Sequence, residues 1–476
     1  MLRACWLWAW MGLAVPAAGQ WVQVDTVWIE GNAKTRAWVL LREMALLPGD
    51  SVAASELDRL IERSRQNLYN LGLFNEVLME PVLREGRLRL RVRVRERWFV
   101  FGAPYVGLEE RNAFDFVGAF RTRSFRRLVY GGSVTWRNAT GRNETLYAFA
   151  NLGFSQRLLI EYLQPAAWRR QNIDLRAVLR AAREPEIIAG TAGGRVQWRD
   201  LRSGPLLQMV SGAVSLKKRL ALNDYAYVEA AWRRYRAADS LYLLDLGYGP
   251  LRFLTSPNGV ESYPSVTAGY IRDLRDNRSY PLRGYRAHVF GKYAGPELLG
   301  STAFAKLGGS WAQFFPLSRR WNVACGIQSI YTFGDSVPFF DKSVVGLLRY
   351  EFQGISTELR GYEPYLLTGT WVHFNKAELK YGIVPWQILH LPAELMPFRQ
   401  FRELPVGLYA TLFCDTGYIA DQSFSNQDQT FRGRWLLGYG AGLNVVWGYD
   451  LLLRIEGSGN HLGQFGLYLQ AILPIK

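Results

Sequence analysis

The feature that most constrains this chain is a repeated pattern of alternating residues that begins near residue 98. Segments of about ten residues, in which apolar side chains alternate with polar or small ones, are separated by Gly, Asn, Asp and Pro. We count about sixteen to eighteen such segments. Successive side chains of a strand point to opposite faces, so the pattern predicts antiparallel β-structure with two different faces. Clear examples are residues 129–138, 144–152, 158–164, 285–293, 434–447 and 465–473.

The segment around residue 440 shows the two faces most clearly. One face is apolar with an aromatic residue at each end, as a lipid-facing surface requires, and the other is mostly small or polar. Three glycines on the second face leave room for something to pack inside. We therefore predict a mainly β chain whose residues 98–476 form a transmembrane antiparallel β-barrel of about sixteen strands, with a large soluble sandwich as the alternative. The apolar face consists of Trp435, Leu437, Tyr439, Ala441, Leu443, Val445 and Trp447, and the other of Leu436, Gly438, Gly440, Gly442 and Asn444.

Residues 1–19 have the pattern of a secretory signal peptide. Met1-Leu2-Arg3 is followed by an apolar stretch, residues 4–15, and then by small residues up to Gly19. The stretch is too short to span a membrane as a helix, and a short buried helix is the alternative. Cleavage near Gly19 would place the mature chain outside the cytoplasm. The formal net charge of +16 then favours an acidic partner or an anionic membrane surface over nucleic acid.

Residues 20–97 predict a small α+β domain with the order strand, helix, helix, strand, strand (βααββ). Thr35 can cap the first helix, and Gly72 ends the second. Three motifs accompany this order: Val27-x-Ile29-x-Gly31-Asn32-x-x-Thr35, Leu47-Pro48-Gly49-Asp50 and Leu71-Gly72-Leu73-Phe74-Asn75. Together they resemble a POTRA domain. The resemblance implies a periplasmic domain that captures client chains by adding them as a strand to a sheet edge, which needs only backbone donors and acceptors.

Six arginines alternate with other residues along the last strand of this domain. Period two puts their guanidinium groups on one face of the sheet. The simplest interpretation is a solvated face. The alternative is a docking face for lipid phosphate or an acidic client, because a guanidinium matches phosphate geometry. The residues of this basic face are Arg87, Arg89, Arg91, Arg93, Arg95 and Arg97.

Four stretches of the β region carry further information. They are Trp98 with Arg111-Asn112 and Gly141-Arg142-Asn143-Glu144; Arg272-Asp273-Leu274-Arg275-Asp276-Asn277 followed by Tyr280-Pro281 and Gly284; Leu359-Arg360-Gly361-Tyr362; and Phe413-Cys414-Asp415-Thr416-Gly417. With the domain upstream, they resemble the BamA/TamA family of outer-membrane assembly proteins, the bacterial surface-antigen barrel, in its Bacteroidetes-type form. The resemblance implies that the loop with the Arg-Gly-aromatic motif folds into the barrel lumen.

The resemblance also implies the residues of a lumenal loop lock. Arg360 is expected to be held against Asp415, with Glu378 as a plausible second acceptor. Alternation along the strand puts Asp415 inward and Cys414 toward lipid. An arginine presented to two carboxylates in a partly dry lumen forms charge-assisted hydrogen bonds strong enough to hold a loop. The other residues of the two motifs are Gly361, Tyr362, Phe413 and Gly417.

These expectations favour a protein of the cell outer membrane, with its POTRA domain in the periplasm, that captures client chains and templates their insertion. A translocation pore for a dedicated secreted protein is the alternative, and a passive porin is disfavoured because it needs no POTRA domain. Expected partners are unfolded outer-membrane proteins or a secreted client, outer-membrane lipid, periplasmic chaperones and accessory lipoproteins, but not nucleic acid. We expect no enzyme, cofactor or metal site. The chain has four histidines but no Gly-x-Ser-x-Gly elbow, no Gly-rich phosphate loop and no metal-ligand spacing.

Overall fold

The chain forms an N-terminal α+β domain followed by one large antiparallel sheet, as the sequence predicts. The predicted signal peptide and the Arg111-Asn112 pair lie outside the described residues. The computed structural model describes residues 21–108, 125–192, 195–200, 205–238, 259–295, 302–334, 337–338, 341–346, 359–362, 366–392, 394, 396, 403–420, 433–447 and 451–472.

The N-terminal domain is a four-stranded sheet packed against helices. Its elements are β1 (Trp21–Glu30), α1 (Ala37–Leu41), β2 (Ser51–Ala53), α2 (Leu57–Asn70), β3 (Phe74–Arg84) and β4 (Arg87–Glu96). The strand order is β2-β1-β4-β3, with β1 and β4 parallel and the other pairs antiparallel. Alternation on β1 and β4 buries apolar residues such as Val24 and Leu90 in a core with Leu40, Leu68 and Phe74. Among the described residues, no helix has the length and apolarity needed to cross a membrane.

The helical part of this domain differs in detail from the prediction. β2, which the predicted order lacks, pairs antiparallel with the start of β1. α1 has only five residues and no side-chain cap. The prediction that Thr35 caps it is wrong, because the Thr35 hydroxyl donates to Glu96 Oε1 at 2.5 Å instead. Gly72 follows the end of α2 with a φ of +70°, as a helix-ending glycine does.

The described part of the β region forms one sheet of sixteen antiparallel strands, which confirms the predicted fold class. Within the described residues, no ladder joins the first strand, β5 (Val100–Leu108), to the last, β24 (Phe465–Ile472). Two antiparallel strand pairs, β10 (Glu186–Ala192) with β11 (Arg195–Asp200) and β18 (Ser343–Gly346) with β19 (Leu366–Gly369), lie outside this sheet. The sixteen strands are β5 (Val100–Leu108), β6 (Leu128–Arg137), β7 (Thr145–Gly153), β8 (Gln156–Trp168), β9 (Ile173–Glu184), β12 (Leu207–Ala221), β13 (Asp224–Ala237), β14 (Val260–Asp273), β15 (Gly284–Ala294), β16 (Phe304–Pro316), β17 (Trp321–Phe333), β20 (Trp371–His390), β21 (Glu403–Ala420), β22 (Trp435–Trp447), β23 (Leu451–Asn460) and β24 (Phe465–Ile472).

The two faces of the large sheet differ as the alternation predicts. On β22, Trp435 is exposed on the outer face, whereas Leu436 and Asn444 are buried on the inner face. Strands far apart in the sheet meet inside. Tyr280, from the turn after β14, contacts the ring of Tyr409 on β21 and accepts a hydrogen bond from Asn444 Nδ2 at 3.2 Å. The sheet therefore encloses an interior, and its apolar outer face is the surface that lipid requires.

The N-terminal domain packs against the end of the large sheet where short turns join the strands. Arg219 Nη1, on β12, donates to Glu43 Oε1 at 3.1 Å. Asn70 Nδ2 donates at 3.1 Å to the Asp276 carbonyl, in the turn between β14 and β15. The Tyr69 ring meets Trp386 of β20 edge-on, with ring centroids 5.6 Å apart. These contacts fix the domain to several sides of the turn end of the sheet.

Candidate functional site: a loop held inside the barrel

The candidate site is a tight turn in the long loop between β17 and β20. The Tyr362 backbone N–H donates to the Leu359 carbonyl at 3.1 Å, which places Arg360 at the tip. Gly361 has a φ of +87°, and a Cβ there would lie 2.5 Å from the Gly459 carbonyl oxygen on β23. Only glycine combines this left-handed conformation with so close an approach to another backbone. Gly361 therefore explains how the turn fits against the strand.

The Arg360 guanidinium is the centre of the site. Its Nε and Nη2 donate to the two carboxylate oxygens of Asp415, each at 2.7 Å. Its Nη1 donates to Glu378 Oε2 at 3.1 Å and to Glu456 Oε1 at 3.5 Å. The Phe413 ring centroid lies 3.7 Å from the guanidinium carbon. Because Asp415 is fully buried and Arg360 is 6% exposed, water screens these charge-assisted contacts only weakly.

Small residues on the inner face allow the loop to approach β21 and β22. A Cβ at Gly438, on β22, would lie 1.8 Å from the Arg360 carbonyl oxygen. A Cβ at Gly417, on β21, would lie 2.9 Å from Leu359 Cδ2. A glycine inside a strand often marks such a close approach. One of the three inward glycines of β22 therefore receives the loop backbone, and the glycine of the Phe-x-Asp-x-Gly motif receives an apolar side chain of the loop.

Tyr362 anchors the apolar side of the turn. It is fully buried, and its hydroxyl is hydrogen-bonded to His461 Nδ1. Burial of apolar side chains gives the docked loop a contribution that salt does not screen. Apolar residues of the turn and of β19 to β22 form one buried cluster. It consists of Leu359, Tyr362, Leu367, Val372, Phe374, Ile419 and Leu436.

Sequence reasoning does not find two neighbours of this turn, Glu456 and His461. Glu456 lies on the inner face of β23 with Ser458 and Asn460, so the spacing Glu456-x-Ser458-x-Asn460 was the available signal. The family motifs cover only the loop and β21, and therefore do not point to β23. Lys380 Nζ lies 3.9 Å from Glu378 Oε1 and adds a second cation to the three carboxylates.

The arrangement can hold a loop against four strands without covalent bonds. Its three carboxylates face the Arg360 guanidinium, and one of them, Glu378, also faces Lys380. Among the described residues, no three His, Cys, Asp or Glu side chains are grouped as a bound metal would require. The strength of the site lies in paired charges and buried apolar surface.

The basic face lies on the side of the N-terminal sheet opposite the helices. On β4, Arg87, Arg89, Arg91 and Arg93 are exposed and Arg95 is half-buried. Acidic side chains of β1 and β3 compensate the middle of the stripe, and exposed pairs of this kind contribute little to stability. The pairs are Arg89 with Asp25 at 3.0 Å, Arg91 with Glu30 at 3.2 Å and Arg93 with Glu80 at 3.4 Å.

Arg97 does not share this face, so the expectation that all six arginines line one surface is wrong for this residue. It follows the end of β4 and is 5% exposed. Its Nε donates to the Phe74 carbonyl at 2.8 Å, and its guanidinium lies over the Tyr69 ring. Alternation places a side chain only as far as the strand continues.

Comparison with known families identifies both parts of the chain. The Omp85 superfamily domain matches residues 138–456, which is more than half of the chain. The POTRA family, described as the surface antigen variable number repeat, matches residues 22–97. The α+β domain and the sixteen-stranded sheet are therefore recognised independently.

Individual relatives agree with these matches. The outer membrane protein assembly factor BamA of Nitratidesulfovibrio vulgaris is 23% identical over 295 residues, which are 60% of this chain and 32% of the relative. The chain thus spans about a third of that relative's length. Among solved structures, BamA from Haemophilus ducreyi lacking POTRA domains 1-3 has 14% identity and a TM-score of 0.50, covering 95% of this chain and 84% of that one. CdiB from Escherichia coli has 12% identity and a TM-score of 0.55, covering 94% and 75%. At such identities the structural likeness shows the fold alone.

These findings confirm the resemblance derived from the sequence motifs, a BamA/TamA-type barrel with one POTRA domain. They also confirm the predicted location, with the barrel in the outer membrane and the POTRA domain in the periplasm. The short turns that contact the POTRA domain are then the periplasmic turns. From the superfamily match over residues 138–456 and the POTRA match that precedes it, we conclude that the chain belongs to the Omp85 superfamily.

Proposed function

We propose that this protein is a non-enzymatic assembly factor that inserts client β-barrel proteins into the outer membrane. In this proposal residues 1–19 are a cleaved signal peptide, residues 20–97 the POTRA domain and residues 98–476 the barrel. The observation that carries it is the pair of end strands, β5 and β24, which no ladder joins in the described residues. Such strand edges offer backbone donors and acceptors to an incoming strand. The free energy comes from burying the client's apolar surface and backbone in lipid, so no nucleotide or other cofactor takes part.

The POTRA domain receives client strands at the outer edge of β3. Among the described residues, this strand ends the order β2-β1-β4-β3 and pairs only with β4. β3 has eleven residues, whereas β2 at the other edge has three. Its Leu78, Val82 and Leu83 are exposed and can contact alternate client side chains. A photo-crosslinker at Leu83 should capture clients. One at Thr26, on the face of β1 opposite the helices, should not.

The Arg360 turn keeps the wall next to the open edge in a fixed arrangement. Its partners lie on β20, β21 and β23, and β23 pairs with β24. Release of the turn would therefore loosen the wall one strand away from the edge that templates insertion. Arg360→Ala and Asp415→Ala should impair function and lower the heat resistance of the folded barrel. Full activity and unchanged heat resistance in both variants would contradict this role.

The partners in this proposal are unfolded outer-membrane proteins or a secreted client, outer-membrane lipid, periplasmic chaperones and accessory lipoproteins.

The basic face, Arg87 to Arg95, is a solvated surface, since three acidic side chains already pair with its middle arginines. Vesicles with anionic lipid should therefore bind the wild type no better than a variant with glutamine at positions 89, 91 and 93. Clearly weaker binding by the variant would support the docking interpretation instead.

The decisive experiment is quantitative proteomics of the outer membrane and the medium after depletion of this protein. A broad fall in other β-barrel proteins is the expected result. Loss of one secreted or surface protein, with the other barrels intact, would replace the proposal by the translocation pore. Complementation with wild type and with Arg360→Ala in the same strain then tests whether the held loop matters for the activity found.

A further inference from the structure

The loop between β17 and β20 carries a second buried charge, Asp341, upstream of Arg360. Asp341 is 2% exposed. Arg233 Nη1, on β13, donates to both of its carboxylate oxygens, at 2.8 and 2.9 Å. The Lys292 ammonium, on β15, and the Tyr263 hydroxyl, on β14, also donate to this carboxylate. One loop residue is therefore held by three consecutive strands of the barrel wall.

The strand register places these donors on the same face of the sheet. Arg233 is directly opposite Tyr263 in the ladder of β13 and β14. Lys292 is opposite Lys306 in the ladder of β15 and β16, and Lys306 is also buried. The inner face of β13 to β16 thus carries three basic side chains, and the Asp341 carboxylate of the loop pairs with two of them, Arg233 and Lys292. A buried cluster of like charges requires such a partner.

The two charged residues of the loop contact opposite sides of its own stem. Asp341 binds the basic wall that precedes β17 in the sheet, and Arg360 binds the acidic wall of β20 to β23 that follows it. The signs are complementary in each case, and exchanging the two contacts would put like charges together. The loop can therefore dock in one orientation only.

We propose that Asp341 is a positioning residue for the Arg360 turn, which fixes the upstream end of the loop so that Arg360 reaches its carboxylates. This role of Asp341 involves the loop alone and is the same whether the barrel inserts clients or secretes one. If the role of Asp341 were purely local, substituting it would change the structure only near β13 to β16. If Asp341 positions the turn, the substitution also loosens Leu359 and Arg360 at the opposite wall.

A thiol reporter on that opposite wall separates the two roles. Leu359→Cys is placed in the full chain with Cys5, Cys325 and Cys414 replaced by alanine, and maleimide labelling is followed in detergent. Leu359 is fully buried in the docked loop, so slow labelling reports docking. Arg360→Ala in the same background sets the rate for the undocked turn. Heat-dependent mobility on SDS gels verifies that each barrel is folded.

Asp341→Asn should raise the labelling rate about tenfold or more, because the carboxylate loses charge-assisted hydrogen bonds. Asp341→Glu should retain most of the protection. Glu161→Gln is the matched control, since Glu161 of β8 pairs with Arg176 of β9 at 2.9 Å, on other strands than those that hold Asp341 and Arg360, and it should leave the rate unchanged.

Arg233→Gln removes the same contact from the wall side and serves as the second test if Asp341→Asn does not yield a folded barrel. It should raise the labelling rate in the same direction. Labelling at the parent rate in the folded variants, while Arg360→Ala labels faster, would overturn the inference. Faster labelling in Glu161→Gln by a similar factor would overturn it as well, because the effect would then be general.

Discussion

Replacing Asp415 by asparagine should release the Arg360 turn more than replacing either of the other two carboxylates. Asp415 accepts two hydrogen bonds at 2.7 Å, Glu378 one at 3.1 Å and Glu456 one at 3.5 Å. Hydrogen bonds to charged groups contribute about 1.5–3 kcal/mol each and weaken with distance. Asparagine keeps the size of the side chain and one acceptor oxygen, so the substitution removes the charge and one hydrogen bond.

The magnitude follows from what remains around Arg360. In Asp415→Asn the guanidinium still contacts Glu378 and Glu456, so the cost stays at the lower end of the roughly 3–5 kcal/mol typical of a broken buried pair. A loss of about 3 kcal/mol raises the undocked fraction roughly a hundredfold. Glu378→Gln should cost about 1.5 kcal/mol of docking free energy, which raises the undocked fraction roughly tenfold. Glu456→Gln should cost less than about 1 kcal/mol.

Hydrogen–deuterium exchange of the purified full chain, read by mass spectrometry, measures this equilibrium. The Tyr362 amide, which donates to the Leu359 carbonyl in the docked turn, should exchange faster in the order Asp415→Asn, Glu378→Gln, Glu456→Gln. Glu184→Gln is the control. It removes the bidentate carboxylate of β9 that accepts from Arg157 at 2.6 and 3.1 Å, on another strand than those that hold Arg360.

The order of the variants is the critical result. Equal exchange in Asp415→Asn and the wild type would show that the bidentate contact does not hold the turn. Faster exchange in Glu378→Gln than in Asp415→Asn would show that distance and bond number do not rank the three acceptors. Either result would refute the reasoning.

Two further predictions concern other contacts of the chain. Gly438→Ala should undock the turn, because its Cβ would lie 1.8 Å from a loop carbonyl, whereas Gly309→Ala, where a Cβ has ordinary contact distances, should not; amide exchange compares them. Burial would raise the pKa of Glu43, but Arg219 and Arg42 lower it below its ordinary value of 4.5. Its contribution to stability is therefore present above that value and is lost as the pH falls through the lowered pKa. The melting-temperature difference between wild type and Glu43→Gln should be constant from about pH 7 to 5 and shrink as the pH falls below 4.5. A difference that grew in acid would contradict the ion pair.

The faces of the barrel strands could be predicted where a strand is regular. From Tyr409 to Asp415, β21 continues without a break in its pairing to β22, so period two is enough to assign inward and outward positions. The docking of Arg360 could not be predicted from alternation alone, because local alternation does not encode the path of a long loop. The family resemblance supplied it for Asp415 and Glu378.

What the sequence did not reveal depends on contacts between distant residues. Thr35 has a helix-cap propensity, yet its hydroxyl donates to Glu96 and accepts from Asn138, which brings two separate parts of the chain together. Local propensity cannot anticipate such a competitor. Glu456 was not predicted for the same reason, since its partner Arg360 lies far upstream in the loop. Arg97 was assigned to the wrong face because the end of β4 is set by its pairing with β3.

The position of the loop's partners along the chain has a consequence for how this barrel itself forms. The residues that hold Asp341, on β13, β14 and β15, all precede it in the sequence. The carboxylates that hold Arg360, on β20, β21 and β23, all follow it. In a barrel built from its N-terminal strands onward, the upstream contact can form as soon as the loop is made. The downstream contact must wait for β23, so closure of the Arg360 turn marks a barrel whose last strands are in place.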